Sequence, residues 1–404
     1  MGGLAMPLLY LGLVFAVIVL LLTLHRPLYQ AILGGLLVTA LLFRMPLEAI
    51  LGQTARVFRN WSSLSVLISL YLITYLQRML EARQQIKLAQ QDLNGLFHNR
   101  RVNATVAPLF IGLLPSAAAM ILCADIVKEA TDGYLNPKEQ ALVTSWFRHI
   151  PESTLPTYSG VLLMVTLSGV SLGKFMPAMF VPILTLAMLG YWPYLRRLPR
   201  DPGTPRSDNR ARDALNLVKH LWSLFAILFL ILALGFGVVQ AVATVILASA
   251  LVYRFSGREL VSMVRSAFEV KLILNTFLVL TLKEFLAWTG VLEELPAAMS
   301  VLPIPTYLIF ALLFFVGGIV SGASGIIALG TPLAFAAMDG GVALMVLLMC
   351  MCHAASQISP THVCLVVASD YYKITMGELI RKTLPLSLLF CVLMIGYYNL
   401  LLLF

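Results

Sequence analysis

Apolar residues occur along most of the chain in long runs, which are separated by short polar stretches. A helix needs about 17–25 mostly apolar residues to cross a bilayer, and the uninterrupted runs reach approximately this length. They therefore predict simple membrane-spanning helices. These helices are expected over residues 8–24, 27–43, 61–80, 175–194, 220–236, 238–253, 270–288 and 383–404.

Four other apolar segments are interrupted by polar residues, proline or glycine. The interruptions fall around Ser116 and at residues 148–156, 321–325 and 356–360. At membrane depth, backbone that leaves the helical path is tolerated only where it lines a cavity or is buried in protein. The pattern predicts two hairpins, over residues 104–130 and 304–337, and two broken spans, over residues 140–170 and 341–369.

The composition agrees with a membrane protein. Of the 404 residues, 60% are hydrophobic and 12% charged, and the mean hydropathy is +0.90, whereas soluble domains are about 25% charged. The five cysteines lie in apolar stretches and predict no disulfide framework. We expect a lipid bilayer around the protein and no nucleic-acid partner.

The interruptions recur at a nearly constant offset, which indicates an internal duplication. His149 and Pro156 have counterparts in His353 and Pro360, 204 residues later. Two further blocks recur in the same order at offsets of 205 and 210 residues. A hairpin adds no crossing, so each half is expected to cross the membrane five times. Because five is odd, the second half would be inverted, as in many secondary transporters.

The prediction is an all-α polytopic membrane protein with about ten transmembrane helices in two inverted repeats, each with a re-entrant hairpin and a broken helix. The first repeat covers residues 1–195, with an interfacial helix over 83–103 and a final span over 175–194. A cytoplasmic linker is expected over residues 196–219, and the second repeat covers residues 220–404.

The distribution of basic residues orients this topology. Among the 28 lysine and arginine residues, those in predicted outer loops are only Arg44, Arg56, Arg59 and Lys174, and most others fall in predicted inner loops. Cytoplasmic loops carry an excess of basic residues. We therefore expect both termini outside the cytoplasm, the linker inside, and the protein in the cell (inner) membrane.

Each interruption starts a new half-helix near the bilayer midplane, where its positive end favours an anion. Hydroxyl and amide side chains cluster at all four interruptions, although any one hydroxyl is more often a local helix cap or back-bond. The candidate substrate-binding residues are Ser116, Thr154, Thr157, Ser321, Ser324, Ser356, Gln357 and Thr361.

Glu152 is the most distinctive ionisable residue because a carboxyl group at membrane depth is costly. It is either a structural partner of Arg148 or, since desolvation disfavours its charged form, a carrier of the coupling proton. The candidate ion-coupling residues are Glu152, Ser153, His149 and His353. Apart from H⁺ or Na⁺ as coupling ion, we expect no cofactor. We also expect no metal site, including at Cys350-x-Cys352-His353.

The architecture of three spans, interfacial helix, hairpin, broken span and final span in each repeat resembles the ion-transporter superfamily of dicarboxylate/sodium symporters, gluconate permeases and arsenite or sodium–proton antiporters. The segments 147–156 and 358–367 look like a bacterial and archaeal branch of that superfamily. The resemblance implies a homodimer with scaffold and transport domains. In the dicarboxylate members, Ser-Asn-Thr motifs bind Na⁺ and substrate at the hairpin tips and breaks. The corresponding positions, none of which is Asn, are Ser116, Ser153–Thr154, Ser321 and Ser356–Gln357.

These features together predict a secondary active transporter of a small anionic solute, and not an enzyme. Two alternatives stay open. Gly322-Ala-Ser324-Gly325 reproduces the Gly-x-Ser-Gly signature of rhomboid-like intramembrane serine proteases, for which His353 or His362 would be the partner. A passive channel is the second alternative.

Overall fold

A computed structural model describes residues 2–85, 87–89, 92, 99–112, 118–201, 209–360 and 362–403. These residues form helices and connecting turns, with no strands among them. The helices of the first half are α1 (Gly2–Thr23), α2 (Leu28–Leu42), α3 (Leu47–Arg59), α4 (Trp61–Ala82), α5 (Arg100–Ile111), α6 (Ala118–Thr131), α7 (Pro137–His149), α8 (Ser159–Ser168), α9 (Leu172–Ala178) and α10 (Phe180–Tyr191).

The second half has a similar order of helices. They are α11 (Arg210–Leu232), α12 (Val238–Val252), α13 (Gly257–Ser266), α14 (Val270–Thr289), α15 (Leu295–Ser300), α16 (Thr306–Ala337), α17 (Gly341–Ser356), α18 (Val363–Tyr372) and α19 (Met376–Leu401). Short 3₁₀ turns cover Ile150–Ser153, Leu195–Arg197 and Val291–Glu294.

Helix bounds and packing both recur between the halves. Helices α2 and α12 are offset by 210 residues, and α8 and α18 by 204. The contacts between halves are reciprocal: α4 packs on α12 and α13, while α14 packs on α2 and α3. Likewise, α8 packs on α16 and α18 on α6. This is the pattern that a duplication predicts. The inversion of the second half and the domain bounds stay predictions.

The all-α polytopic membrane fold is confirmed. By length and composition alone, six of the described helical segments are long and apolar enough to cross a membrane, with α9 and α10 counted as one segment and the kinked α16 as another. They are Met6–Thr23, Trp61–Ala82, Leu172–Tyr191, Arg210–Leu232, Thr306–Ala337 and Met376–Leu401. Five shorter apolar helices accompany them, and three of these, α8, α17 and α18, belong to the two broken spans. The fourth segment of the broken spans, α7, is not among the five.

Helix α16 is a hairpin and not one long helix. Gly322 has φ 73° and ψ 167°, a conformation that is open almost only to glycine. The chain reverses there, as contacts between residues on the two sides of Gly322 show. A Cβ at Gly330 would overlap the ring of Phe314, and a Cβ at Gly317 would overlap Ile326. Residues 16 apart would lie about 24 Å apart in a straight helix. Whether the hairpin enters and leaves on one membrane side stays a prediction.

Helices α5 and α6 form the corresponding pair in the first half. They pack against each other, and Cys123 Sγ lies 3.9 Å from the carbonyl oxygen of Pro108. The first arm begins at Arg100, before the expected start at residue 104. The connection between the arms, residues 113–117 with the candidate Ser116, lies outside the described residues, as does much of the expected interfacial helix.

Three stretches that we expected to be loop or linker are helical. Helices α3 and α13 are short and strongly amphipathic, and α13 begins with a capping box between Ser256 and Glu259. Helix α11 begins at Arg210, within the expected linker, because the Asn209 side chain accepts a hydrogen bond from the Arg212 N–H.

Charged contacts join the two halves at the ends of the long helices. Arg78 binds Glu269 at 3.1 Å and Arg83 binds Glu259 at 2.9 Å. Arg83 also lies over the Phe255 ring. Its hydrogen bond, together with those from Ser256, lowers the pKa of Glu259 to about 2. These contacts hold α4 against α13, away from the breaks.

We expect Gly322→Ala to destabilise the protein by about 1–3 kcal/mol, because a side chain at this φ and ψ is strained. The matched control is Gly396→Ala, inside α19, where an added Cβ meets open space. That change should be neutral or slightly stabilising. Thermal unfolding of both variants in detergent measures the difference. Equal melting temperatures would contradict a glycine-dependent chain reversal.

Candidate functional site

The two breaks are built alike. Helix α7 ends at His149 and passes through the 3₁₀ turn Ile150–Ser153, and α8 starts at Ser159. Helix α17 ends at Ser356 and α18 starts at Val363. Pro156 and Pro360 lie inside the breaks, where proline's missing N–H prevents a continuous helix. Each break therefore brings one helix C-terminus and one helix N-terminus together inside the protein.

A cavity of about 70 Å³ lies between the first break, the tip of hairpin α16 and the end of α17. This volume accommodates a few water molecules or a solute of a few heavy atoms. Its polar lining residues are Glu152, Ser153, Tyr158, Ser159, Ser324, His353 and Ser356. Five of the twelve candidate residues from the sequence thus line one cavity, and they come from both halves.

A larger groove of about 540 Å³ runs between α1, α15 and hairpin α16. Its lining is apolar except for Ser321, so it offers no groups for binding a charged solute. The Ser321 hydroxyl donates to the carbonyl of Gly317 at 2.7 Å. Ser321 is therefore a back-bonded helix residue on the groove, and it is absent from the cavity lining.

A buried ion pair lies at the end of α7. The Arg148 side chain is 3% exposed, and its Nη1 is 3.2 Å from Glu152 Oε2. Glu152 keeps 27% of its side chain exposed and reaches the cavity. The carboxylate offsets a guanidinium charge that would be costly alone in a poorly solvated interior. The structure thus contains the Arg148–Glu152 contact that the sequence offered as the structural alternative.

A chain of hydrogen bonds connects the equivalent histidines of the two halves. His149 Nδ1 lies 2.6 Å from the Ser145 carbonyl oxygen and 3.3 Å from Ser145 Oγ. The Ser145 hydroxyl donates to Gln357 Oε1 at 3.3 Å. Gln357 Nε2 lies 3.3 Å from His353 Nε2. Gln357 is fully buried, so it joins the breaks without lining the cavity.

His149 also contacts the second break directly. Its Nε2 lies 2.9 Å from Nε2 of His362, the residue that precedes α18. Because a carbonyl only accepts hydrogen bonds, Nδ1 of His149 carries the proton that goes to Ser145. In neutral His149, Nε2 is then the acceptor, and His362 donates to it. The 3.6 Å between His149 Nε2 and Glu152 Oε2 brings the carboxylate into the same group.

Each break also holds a hairpin. The Tyr158 hydroxyl donates to the carbonyl of Gly112, at the end of α5. The Ser359 hydroxyl donates to the carbonyl of Ile319, in hairpin α16, at 2.8 Å. Glycine is required at position 112, because a Cβ there would overlap the carbonyl oxygen of Arg148. Hairpins and broken helices thus pack together with close backbone contact.

The remaining candidates lie near the cavity or outside the described residues. Thr154 and Thr157 are buried in the first break, and Thr154 Oγ1 makes no hydrogen bond with the residues that the structure describes. Thr361 lies outside the described residues. The Ser356 hydroxyl donates to the carbonyl of His353, so it is a local back-bond although it borders the cavity.

Ser145 and Cys364 are not among the candidates from the sequence, although Cys364 Sγ lies within 4.8 Å of ring nitrogens of His149 and His362. Ser145 stands in an apolar helix, one turn before His149, and only the fold shows that it faces Gln357. His362-x-Cys364 at the start of a half-helix was a detectable signal, but its partner His149 lies 213 residues earlier.

Comparison with known proteins places the chain in a family. Residues 8–401 match a family model described as "Protein of unknown function (DUF401)". The chain belongs to the DUF401 family. A search of curated proteins found no match.

The DUF401 chain also resembles a solved structure, the YdaH transporter of Alcanivorax borkumensis, whose topology is described as unusual. The TM-score is 0.56 at 15% sequence identity, and the match covers 87% of this chain and 86% of that chain. At this identity the likeness establishes a shared fold. The DUF401 chain therefore has the fold of a membrane transporter over most of its length.

We expect Glu152→Gln to lower stability by about 1–3 kcal/mol, less than for a fully buried pair because Glu152 is partly exposed. In the double variant Arg148→Met/Glu152→Gln, part of this loss should be recovered, since the buried cation is removed as well. A double-mutant cycle of thermal unfolding in detergent measures the coupling. Additive effects of the two single changes would show that the ion pair contributes no stability.

Proposed function

We propose that this DUF401 protein is a secondary active transporter of a small anionic solute, an organic acid or an oxyanion, which works by alternating access. The observation that carries the proposal is the cavity where the first break, the hairpin tip and the end of α17 meet. Broken helices that enclose a polar cavity inside the membrane are the usual substrate sites of secondary transporters. The transporter fold shared with YdaH supports the same function.

The preference for an anion comes from the ends of the half-helices. Helix α8 begins at Ser159, which lines the cavity, and the first N–H groups of a helix favour negative charge. The buried Arg148 guanidinium lies behind Glu152 and offsets the negative charge of that carboxylate on the cavity lining. The hydroxyl of Ser324 offers a hydrogen-bond donor on the lining, whereas that of Ser153 makes a long hydrogen bond of 3.4 Å to the carbonyl of Ile150.

Transport is proposed to be coupled to a gradient of H⁺ or Na⁺. Of the proposed coupling residues, Glu152, Ser153 and His353 line the cavity, and His149 lies behind it. The last carbonyls of a helix lack some of their helical partners and suit a small cation, although His353 and Ala355 at the end of α17 each accept a backbone hydrogen bond. The Glu152 carboxylate is the proposed contact for the coupling ion, because it is the acidic group on the cavity lining.

The wider arrangement is also part of the proposal. Hairpins and broken helices, which contact one another closely, would form the transport domain. The first three spans of each half would form the scaffold of a homodimer. This division follows the resemblance to the ion-transporter superfamily, of which we propose the DUF401 family to be a branch.

We expect Ser324→Leu to abolish ligand-induced stabilisation, because a leucine side chain would fill much of the small cavity. Ser262→Leu, on the exposed face of α13, is the matched control and should behave as wild type. A screen of purified protein against organic acids and oxyanions, with and without Na⁺, identifies the ligand through its effect on the melting temperature. Uptake of the best ligand into proteoliposomes, under imposed pH or Na⁺ gradients, then measures transport.

The result separates the proposal from its alternatives. Saturable uptake that accumulates solute against its gradient supports secondary transport, whereas flux that only dissipates a gradient indicates a channel. Covalent labelling of Ser324 by a fluorophosphonate indicates a protease. Within the described residues, no hydrogen bond joins Ser324 to a histidine: His353 pairs with Gln357 and His362 with His149.

For the topology, we expect a single cysteine in the linker at residues 202–208 to react only with membrane-permeant maleimide in intact cells, and a cysteine at either terminus to react with an impermeant one. The background would lack the five native cysteines, all of which are free. The reason is the excess of basic residues in the predicted inner loops. Labelling of the linker from outside would refute the inverted arrangement.

A further inference from the structure

In contrast to the expectation from the sequence, we propose that His149, His362 and Cys364 form a binding site for a transition-metal ion, with Zn²⁺ as the best match. The potential ligand atoms of these three side chains lie within 4.8 Å of one another. His149 is buried, whereas His362 and Cys364 are partly exposed, which gives an ion a route of entry. The site lies beside the solute cavity and uses a residue, Cys364, that does not line it.

The ligand types select the ion. Two imidazole nitrogens and one thiolate are a common set for four-coordinate Zn²⁺. They suit Co²⁺, Ni²⁺ and copper as well, whereas Mg²⁺, Ca²⁺ and Na⁺ prefer oxygen ligands. The ligand set therefore selects ions other than the Na⁺ or H⁺ proposed for coupling, although His149 takes part in both proposals.

The orientation of His149 suits a metal ligand. Its Nδ1 donates to the Ser145 carbonyl oxygen at 2.6 Å, and metal-binding histidines usually donate their other ring nitrogen in this way. The lone pair of Nε2 therefore faces His362, whose ring plane is at 76° to that of His149. The two Nε2 atoms are 2.9 Å apart, and tetrahedral bonds of about 2.05 Å require about 3.3 Å. Ion binding thus requires the two Nε2 atoms to move apart by a few tenths of an ångström.

Glu152 supplies negative charge beside the cluster. Its Oε2 lies 3.6 Å from His149 Nε2 and 3.2 Å from Arg148 Nη1. Because one oxygen faces both groups, the carboxylate acts here as a neighbouring counter-charge and not as one of the three ligands. The Cys364 thiolate and the Glu152 carboxylate together offset the dication, which matters because Arg148 adds a positive charge nearby.

The ion would connect the two halves of the duplication. His149 is the last residue of α7, and His362 and Cys364 lie at the start of α18. The hydrogen bond between His149 and His362 already joins the two halves. A metal ion bound by both side chains would replace this hydrogen bond with stronger metal–ligand bonds. Binding should therefore raise the melting temperature, since the ion binds the folded chain and the ligands are far apart in the unfolded one.

Cobalt titration of the metal-stripped full-length protein in detergent tests the site. We expect one Co²⁺ per chain, with the charge-transfer absorption of a Co²⁺–thiolate bond, and displacement by Zn²⁺. Cys364→Ser should remove that absorption, and His362→Gln should weaken binding at least about tenfold. The matched controls are Cys391→Ser and His25→Gln, which alter a buried cysteine and a histidine outside the cluster and should bind as wild type.

A measurement on wild-type protein guards against variants that fail to fold. Zn²⁺ should protect Cys364 from alkylation, as read by peptide mass spectrometry, and raise the melting temperature, whereas Mg²⁺ should do neither. The proposal is wrong if the cobalt complex shows no thiolate absorption, if Cys364→Ser retains it, or if Zn²⁺ leaves Cys364 unprotected. These readouts do not depend on transport, so a failed transport assay leaves them interpretable.

Discussion

The constraint on which this structure depends is that backbone groups at membrane depth need partners. Two helices break and two helix pairs reverse within apolar sequence, which leaves N–H and C=O groups that lipid would not satisfy. The structure satisfies part of this need by bringing the irregular segments together. Tyr158 binds the carbonyl of Gly112, and Ser359 binds that of Ile319. The breaks therefore require the hairpins, and the hairpins require the breaks.

Duplication explains the scaffold, and divergence explains the chemistry. The same offset that relates His149 to His353 relates Arg148 to Cys352 and Glu152 to Ser356. The fold needs neither charge at the second break, because α17 and α18 form without them. The ion pair is therefore a feature of the first break that has no counterpart at the second. Charged groups inside a membrane protein are costly and are usually retained for a function, so the asymmetry agrees with the role proposed for Glu152.

The sequence is informative for features that depend on a single local segment of the chain. Proline at 156 and 360 fixed the breaks, and Gly322 fixed the chain reversal. It is less informative for α3 and α13, which are too short to span a membrane, although Ser256 and Glu259 form a capping box at the start of α13. A membrane-spanning helix is recognised by the length of its apolar run, and an amphipathic surface helix has no such run. The first turns of α11 are charged as well, so they too are not recognised by the length of an apolar run.

The site itself could be predicted only in part, because its contacts join residues from different halves. Serine and threonine at the breaks were visible, but Ser321 faces the apolar groove while Ser324, three residues later, faces the cavity. A reversal at Gly322 separates them, and its direction depends on the packing of Phe314 against Gly330. The pairing of His149 with His362 likewise requires the fold.

The position of the shared polar network suggests why both breaks belong to one functional unit. His149, Ser145, Gln357 and His353 connect the two C-terminal helix ends through side chains that are almost fully buried. A buried network loses stability if one member moves alone, because the others are left without partners. Movement of one break relative to the other is therefore costly. In the alternating-access cycle that we propose, hairpins and breaks would therefore move together as a rigid body against the remaining helices.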